Sequence, residues 1–204
     1  MNNEDALRYI AELAYNVGFG AKRHFASHDI VDKLPGVIGF TSLAVGVFSL
    51  VVPWLSTQHM SALLITLGIL SLYVSFSASE KDRYASTGEE LTKLFGQLKL
   101  QYFAVKNEAS DDVSTSMDAV KRIEDTYYAT SITKQLLFSD WIAHYKFFWQ
   151  HQIGWVDEQL EFRFFRDKVP LSVTLVVLGV IVAVVTWGIV DWVNLRSLCE
   201  RLLP

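Results

Sequence analysis

The pattern of apolar and polar positions changes character three times along the chain. In residues 1–33, Leu7, Ala11, Ala14, Gly18, Ala21 and Phe25 recur at helical spacing, while Arg8, Glu12, Lys22 and Arg23 fall mostly off that face. The spacing predicts an amphipathic cytoplasmic helix with an unusually small apolar face, against which a partner helix backbone can come close. From Leu34 to Ser79 there is then no Asp, Glu, Lys or Arg. As one helix this segment would be roughly 70 Å long, and a bilayer core is only about 30 Å thick, so it predicts two passes joined by a tight turn. Residues 34–79 are read as a transmembrane hairpin with spans at 36–52 and 60–78. Pro53 ends the first span, Trp54 suits an interfacial position, and Ser56, Thr57, Gln58 and His59 form the polar tip.

Charge returns with Glu80, Lys81, Asp82 and Arg83, and Leu91, Leu94, Phe95, Leu98, Tyr102 and Val105 follow with a period near 3.5. The second span is therefore expected to run on into a long cytoplasmic helix. The stretch NEASDDVSTS, residues 107–116, breaks the pattern, and Met117, Val120, Ile123 and Tyr127 restart it, with Thr115 and Asp118 placed to cap the new helix. Residues 138–165 crowd ten aromatics, Phe138, Trp141, Tyr145, Phe147, Phe148, Trp149, Trp155, Phe162, Phe164 and Phe165. A helix that is apolar on both faces must be buried in a bundle, lie on the membrane interface or meet another subunit. The last run, 170–190, is bounded by Arg166, Asp167 and Lys168 on one side and by Asp191 and Trp192 on the other, and predicts a third span.

With no strand alternation anywhere, the expected fold is an all-α membrane protein. Its parts are the helix in 1–33, the hairpin in 34–79, a helical cytoplasmic domain in 80–168, a third span in 169–192 and a short tail in 193–204. An apolar content of 51% over 204 residues agrees with this class. The first 30 residues contain no apolar h-region, so the first span itself is expected to target the chain. Of 18 Lys and Arg, four precede the hairpin, twelve lie between the second and third spans, and the tip has none. The basic residues place the N-terminus and the middle domain in the cytoplasm and the tip outside. Three crossings put the tail outside too, with Arg196, Arg201 and the single cysteine, Cys199, read as an unpaired thiol.

Catalytic chemistry is hard to find. GFGAKRH, residues 18–24, lacks the preceding strand and the remaining glycines of a phosphate-cradling loop. His24, His28 and Asp32 share a helix face, but no Cys or Glu completes a ligand set, and His144 and His151 sit among aromatics, so all four histidines are read as structural. Nothing suggests a nucleophile triad or a carboxylate pair; no enzyme, metal or cofactor is expected. The informative residues lie in the spans. Gly39, Ser42, Gly46, Ser49 and Pro53 form a small-residue seam on the first, and Ser61, Gly68, Ser71, Ser75 and Ser79 form one on the second. The seams either zip the hairpin together or, in an oligomer, line a wet pore, and one can zip while the other lines. The spans hold no relay charge, which disfavours a coupled transporter and leaves a passive channel open. Ser42, Gly46, Ser49, Ser71 and Ser75 are the candidate pore-lining residues, and Asp29, Asp32, Glu80 and Asp82 the candidate acidic mouth.

The layout resembles a known family. The basic-histidine element Lys22-Arg23-His24-Phe25, the tight two-span hairpin, the charged exit Glu80-Lys81-Asp82-Arg83-Tyr84 and the helical cytoplasmic tail together look like the SLATT family of bacterial membrane effectors, over roughly residues 5–165. The resemblance implies a pore effector of anti-phage defence in the bacterial inner membrane. A nucleotidyltransferase or other nucleotide-linked partner would control it, and its opening would depolarise the cell. The family is described with two spans, so the third span departs from it. If a nucleotide-type ligand acts, its phosphates need cytoplasmic cations: Lys99, Lys106, Lys121, Arg122 and Lys134 are the candidates, with Tyr127 and Tyr128 to stack a base. Against them stands a solvated face, for residues 80–168 carry 12 basic and 15 acidic side chains. The leading reading is a homo-oligomeric ion channel, with a tetramer the expected ring. The alternative is a non-conducting anchor that recruits a cytoplasmic partner through its aromatic helix.

Overall fold

The computed structural model describes residues 2–107, 113–151 and 153–202, which divide into two compact units, 1–161 and 162–204. Among the described residues every regular element is helical, and three helices are long and apolar enough to cross a membrane. The all-α membrane architecture read from the sequence is the one observed.

The first unit is built on α1, Asn3–Phe48, a single helix of 46 residues capped by the Asn2 side chain, which accepts from the Asp5 amide at 2.7 Å. The expected division between a cytoplasmic helix and a separate first span is absent, because the helix passes through Pro35. Proline removes one intrahelical hydrogen bond and crowds the preceding turn. Val31, one turn before it, and Ile38, one turn after, are both buried, and their packing holds the axis together across the gap. The helix ends at Phe48, short of the expected 52, since Pro53 forces Val52 into extended backbone and opens a 3-10 turn at Pro53–Ser56. Thr57 then caps α2, Gln58–Ser75.

A second correction lies at the charged exit of the hairpin. The second span does not run on into the next helix but stops at Ser75, and a 3-10 turn at Ala78–Glu80 precedes α3, Lys81–Asn107. Serine hydroxyls compete for helix carbonyls, as Ser75 Oγ does for Ser71 O at 2.9 Å, and the Ser77 and Glu80 amides take i→i−3 partners instead. α3 turns the 3.5-period stripe inward, with Leu91, Leu98, Tyr102 and Val105 fully buried. It lies antiparallel to α1, Phe25 resting on Gly88 and Phe95 on Gly18, where the small face read from the sequence allows the close approach.

Of the expected break at 107–116, residues 108–112 lie outside the described residues. α4, Ser114–Thr130, has no side-chain cap, so Thr115 and Asp118 do not play that part; the Met117 amide bonds the Val113 carbonyl and the helix starts two residues early. The aromatic segment is not one helix either. It divides into α5, Ser139–Gln150, and α6, Gly154–Leu160, because the backbone turns extended at His151 (φ −102°, ψ 142°) and stops α5; left-handed residues bound the pair, Phe138 (φ 67°) before α5 and Glu161 (φ 48°) after α6. Its faces separate as well. Phe147 and Trp155 are buried with Tyr15, Phe95 and Tyr102, whereas Tyr145 and Trp149 stay exposed. The second unit holds α7, Leu171–Leu202, whose stretch Leu171–Ile189 is the third candidate span. The side chains of Arg196, Cys199 and Arg201 lie outside the described residues.

Candidate functional site

Two regions of the first unit carry the candidate residues: the hairpin formed by α1 and α2, and the helical bundle that stands on its open end.

Within the hairpin, burial separates the small residues. Val31, Ile38, Ser42, Val45 and Ser49 on α1 and Leu67, Ser71 and Val74 on α2 are buried or half-buried, spaced by three and four, and form the seam between the spans. Ser42, Ser49 and Ser71 therefore belong to the hairpin's own interface. Gly46 and Ser75 do not. Gly39, Gly46 and Gly68 are open, since a Cβ built on any of them meets nothing within 4 Å, and Ser75 is exposed. Viewed from the open end of the hairpin, antiparallel helices of one hand turn in opposite senses, so Gly39 and Gly46 on α1 and Gly68 and Ser75 on α2 come round to the same flank. The serine hydroxyls are satisfied locally, Ser49 on Gly46 O at 2.7 Å and Ser75 on Ser71 O at 2.9 Å.

The acidic mouth is largely paired within the chain. Burial pushes the Asp29 carboxyl up, but hydrogen bonds from Lys146 and Lys33 outweigh it and hold it below its ordinary value. Asp32 is lowered by its 3.1 Å bond from Lys81, and Glu80 accepts from Arg83 at 3.3 Å. Asp82 stands at the start of α3, forms no ion pair among the described residues and adds to the field that raises Lys81, so three of the four acids are paired and one is a lone carboxylate.

The candidate cations do not form one cluster. Lys106 is bonded to Glu158 at 2.6 Å near the far end of α3, while the Lys134 carbonyl accepts from Tyr84 at the opposite end, about 33 Å away along the helix. Arg122 borders an open groove of about 260 Å³ between α3 and α4, and Lys121 is exposed on α4. Tyr127 and Tyr128 make a tilted pair 5.1 Å apart. Tyr127 is half-buried beside Gly20, and burial raises its hydroxyl, whereas Tyr128 is exposed. Lys99 stands apart from all of these, one turn beyond Phe95.

Sequence reasoning missed a buried polar clasp. His24, 3% exposed, donates from Nδ1 to the Gly20 carbonyl at 2.7 Å, and its Nε2 accepts from the Ile132 amide at 3.2 Å and the Gln135 amide group at 3.1 Å. Ser27 donates to Gln135 Oε1 at 2.8 Å and accepts from the Leu136 amide. Burial lowers the His24 pKa, so the neutral ring ties the α4–α5 connection to α1. Its signal in the sequence, His24 and Ser27 on the inner face of a helix, is visible, but its partners lie more than 100 residues away. With both ring nitrogens engaged, His24 has no lone pair left for the metal site considered from its spacing to His28 and Asp32. Among the described residues no group of three or more His, Cys, Asp or Glu is placed to hold a metal.

A comparison with protein families matches residues 1–177 to the SMODS and SLOG-associating 2TM effector domain 6. No curated protein and no solved structure matches the chain. The match covers the hairpin and the helical bundle and stops seven residues into α7, so the larger part of the span that departs from the two-span pattern, 178–189, lies beyond it. The chain belongs to this family, and it is a membrane effector.

Proposed function

We propose, with that membership as premise, that the protein is a homo-oligomeric ion-conducting effector of bacterial anti-phage defence. It sits in the inner membrane with its N-terminus in the cytoplasm, and a nucleotide-type signal made by a nucleotidyltransferase partner governs it. Opening depolarises the cell, and no covalent chemistry is asked of the chain. The observation that carries this reading is the open flank of Gly39, Gly46, Gly68 and Ser75, a strip of small residues facing away from the hairpin's own seam. Two helices cannot enclose a conduit, so a wall of this kind acts only when copies ring an axis. A tetramer is the ring we favour.

Current across a planar bilayer tests the reading. Gly46→Leu and Ser75→Leu should each block conduction while the oligomer keeps its mass in detergent. An oligomer that never conducts in any nucleotide condition would leave the second reading, a membrane anchor. The exposed Tyr145 and Trp149 on α5 support that alternative as a surface for a cytoplasmic partner.

A further inference from the structure

We propose that Lys22, Lys99 and His151 form a binding site for a soluble ligand bearing two phosphate groups. The proposal rests on the reading that a nucleotide-type signal governs the effector, and it gives that signal a place to bind.

The geometry comes from the register of three helices. α1 and α3 run antiparallel, with Gly18 against Phe95, Gly20 against Leu91 and Phe25 against Gly88. Lys22 therefore lies one turn to the membrane side of the Gly18–Phe95 level, and Lys99 one turn beyond it. His151, at the end of α5, places its ring at that same level, 4.8 Å from Phe95 and 6.1 Å from Phe147, which itself packs on Gly18. The two lysines thus straddle the imidazole at roughly 6 Å of helix rise on each side.

Among the described residues no carboxylate neutralises them. Among the described residues Lys33, Lys81, Lys106 and Lys146 each hold a carboxylate, while Lys22 and Lys99 form no ion pair, and both are half-buried. Their charge is felt next door: His151 is lowered to about 4 by burial and then by repulsion from Lys22 and Lys99, and Lys22 is lowered by burial and then by Lys146. Partly desolvated like charges without a counter-ion are costly, and an anion relieves that cost. The two lysine backbones stand about 12 Å apart along the bundle, and side chains of this length can converge from both levels on the two phosphates of one ligand. The same ring cluster contains the buried indole N–H of Trp155, 5.4 Å from Phe95 between ring centres, with no acceptor. Lys22 precedes Leu34 by twelve residues, so it stands ~18 Å from the apolar boundary, beyond the few ångströms of headgroup layer. The phosphates must come from solution.

The test is calorimetric titration of sodium pyrophosphate into the full chain in detergent at fixed ionic strength. Wild type should bind, Lys22→Met and Lys99→Met should each weaken binding by roughly tenfold, and Lys93→Met on the exposed face of α3 should change nothing. Thermal unfolding of each variant checks that the bundle is intact; if Lys22→Met melts early, Lys99→Met carries the comparison alone. Repeating the titration in nanodiscs of phosphatidylcholine with and without phosphatidylglycerol should give one affinity, and competition by the anionic lipid would overturn the assignment to a soluble ligand. Absent binding, or equal binding by wild type and the lysine variants, would overturn the site. A chain that conducts yet ignores pyrophosphate overturns the site alone, whereas one that binds through Lys22 and Lys99 yet never conducts supports the site and removes only the pore.

Discussion

The same helix is packed along its first part and bare along its last. Before Pro35, α1 buries a residue every three or four positions, from Ala6 through Ile10, Ala14, Val17 and Ala21 to Ile30 and Val31; after it, Ile38 is the one fully buried side chain. The difference is not one of hydrophobicity, since Phe40, Leu43 and Val47 are more apolar than the alanines they follow. The helical bundle supplies its own partners for α1 and is complete within one chain. The hairpin has only α2 opposite it and leaves the rest of its surface to lipid or to further copies.

Substitutions at glycines should break the comparison most sharply. A Cβ on Gly18 would lie 2.8 Å from the Phe95 ring and 2.9 Å from that of Phe147, and both rings belong to the packed core. Gly18→Leu should cost 3 kcal/mol or more, roughly, and its thermal transition in detergent should collapse or disappear. His24→Leu should rank next. It leaves the Ile132 amide and the Gln135 amide group without their buried acceptor, at ~1–3 kcal/mol for each donor stranded. Gln135→Leu in the same background should cost less than it does alone, because the two share one network.

The third prediction is a pH dependence confined to the bundle. His24 and His144 are lowered by burial, and His151 by burial and then by its two lysines to about 4. The unfolded chain takes up these protons near pH 6.5 and the folded chain does not, so stability is full above that value and is lost as pH falls from about 6.5 toward 4. Unfolding midpoints measured between pH 8 and 4.5 should fall on the acid side and stay level on the neutral side; a flat profile would mean the rings are hydrated. The smallest effect belongs to Gly39→Ala. It adds a methyl where nothing lies within 4 Å and improves helix propensity, so the midpoint should stay unchanged or rise slightly.

The contrast also explains what could be read in advance. Local pattern decides the spans and the α3 stripe: an absence of charge from Leu34 to Ser79 and a 3.5-residue period from Leu91 to Val105 need no knowledge of partners. Helix ends were harder. Pro35 lies inside α1, where packing on both sides carries the helix through it, while Phe138 and Glu161, within the aromatic stretch read as one helix, adopt left-handed backbone. The cytoplasmic cations were least legible. Lys106 and Lys134 look like neighbours in composition but stand at opposite ends of a 27-residue helix, whereas Lys22 and His151, 129 positions apart in sequence, meet only through the antiparallel register of α1, α3 and α5. Glycine 18 sets that register, and no residue near His151 announces it.

The unbroken course of α1 has a mechanical meaning. Lys22 and Gly46 ride on one rod, and the arm between them is roughly 36 Å long. A tilt of about 3° at the cytoplasmic end would swing the membrane end by ~2 Å, comparable to the width of a methyl group. A strut of this kind carries a push from one compartment to the other with no relay of side chains between them. Pro35, where one rung of the hydrogen-bond ladder is missing, is its most compliant point. Stiffness above and below that point sets how much of the stroke reaches Gly46.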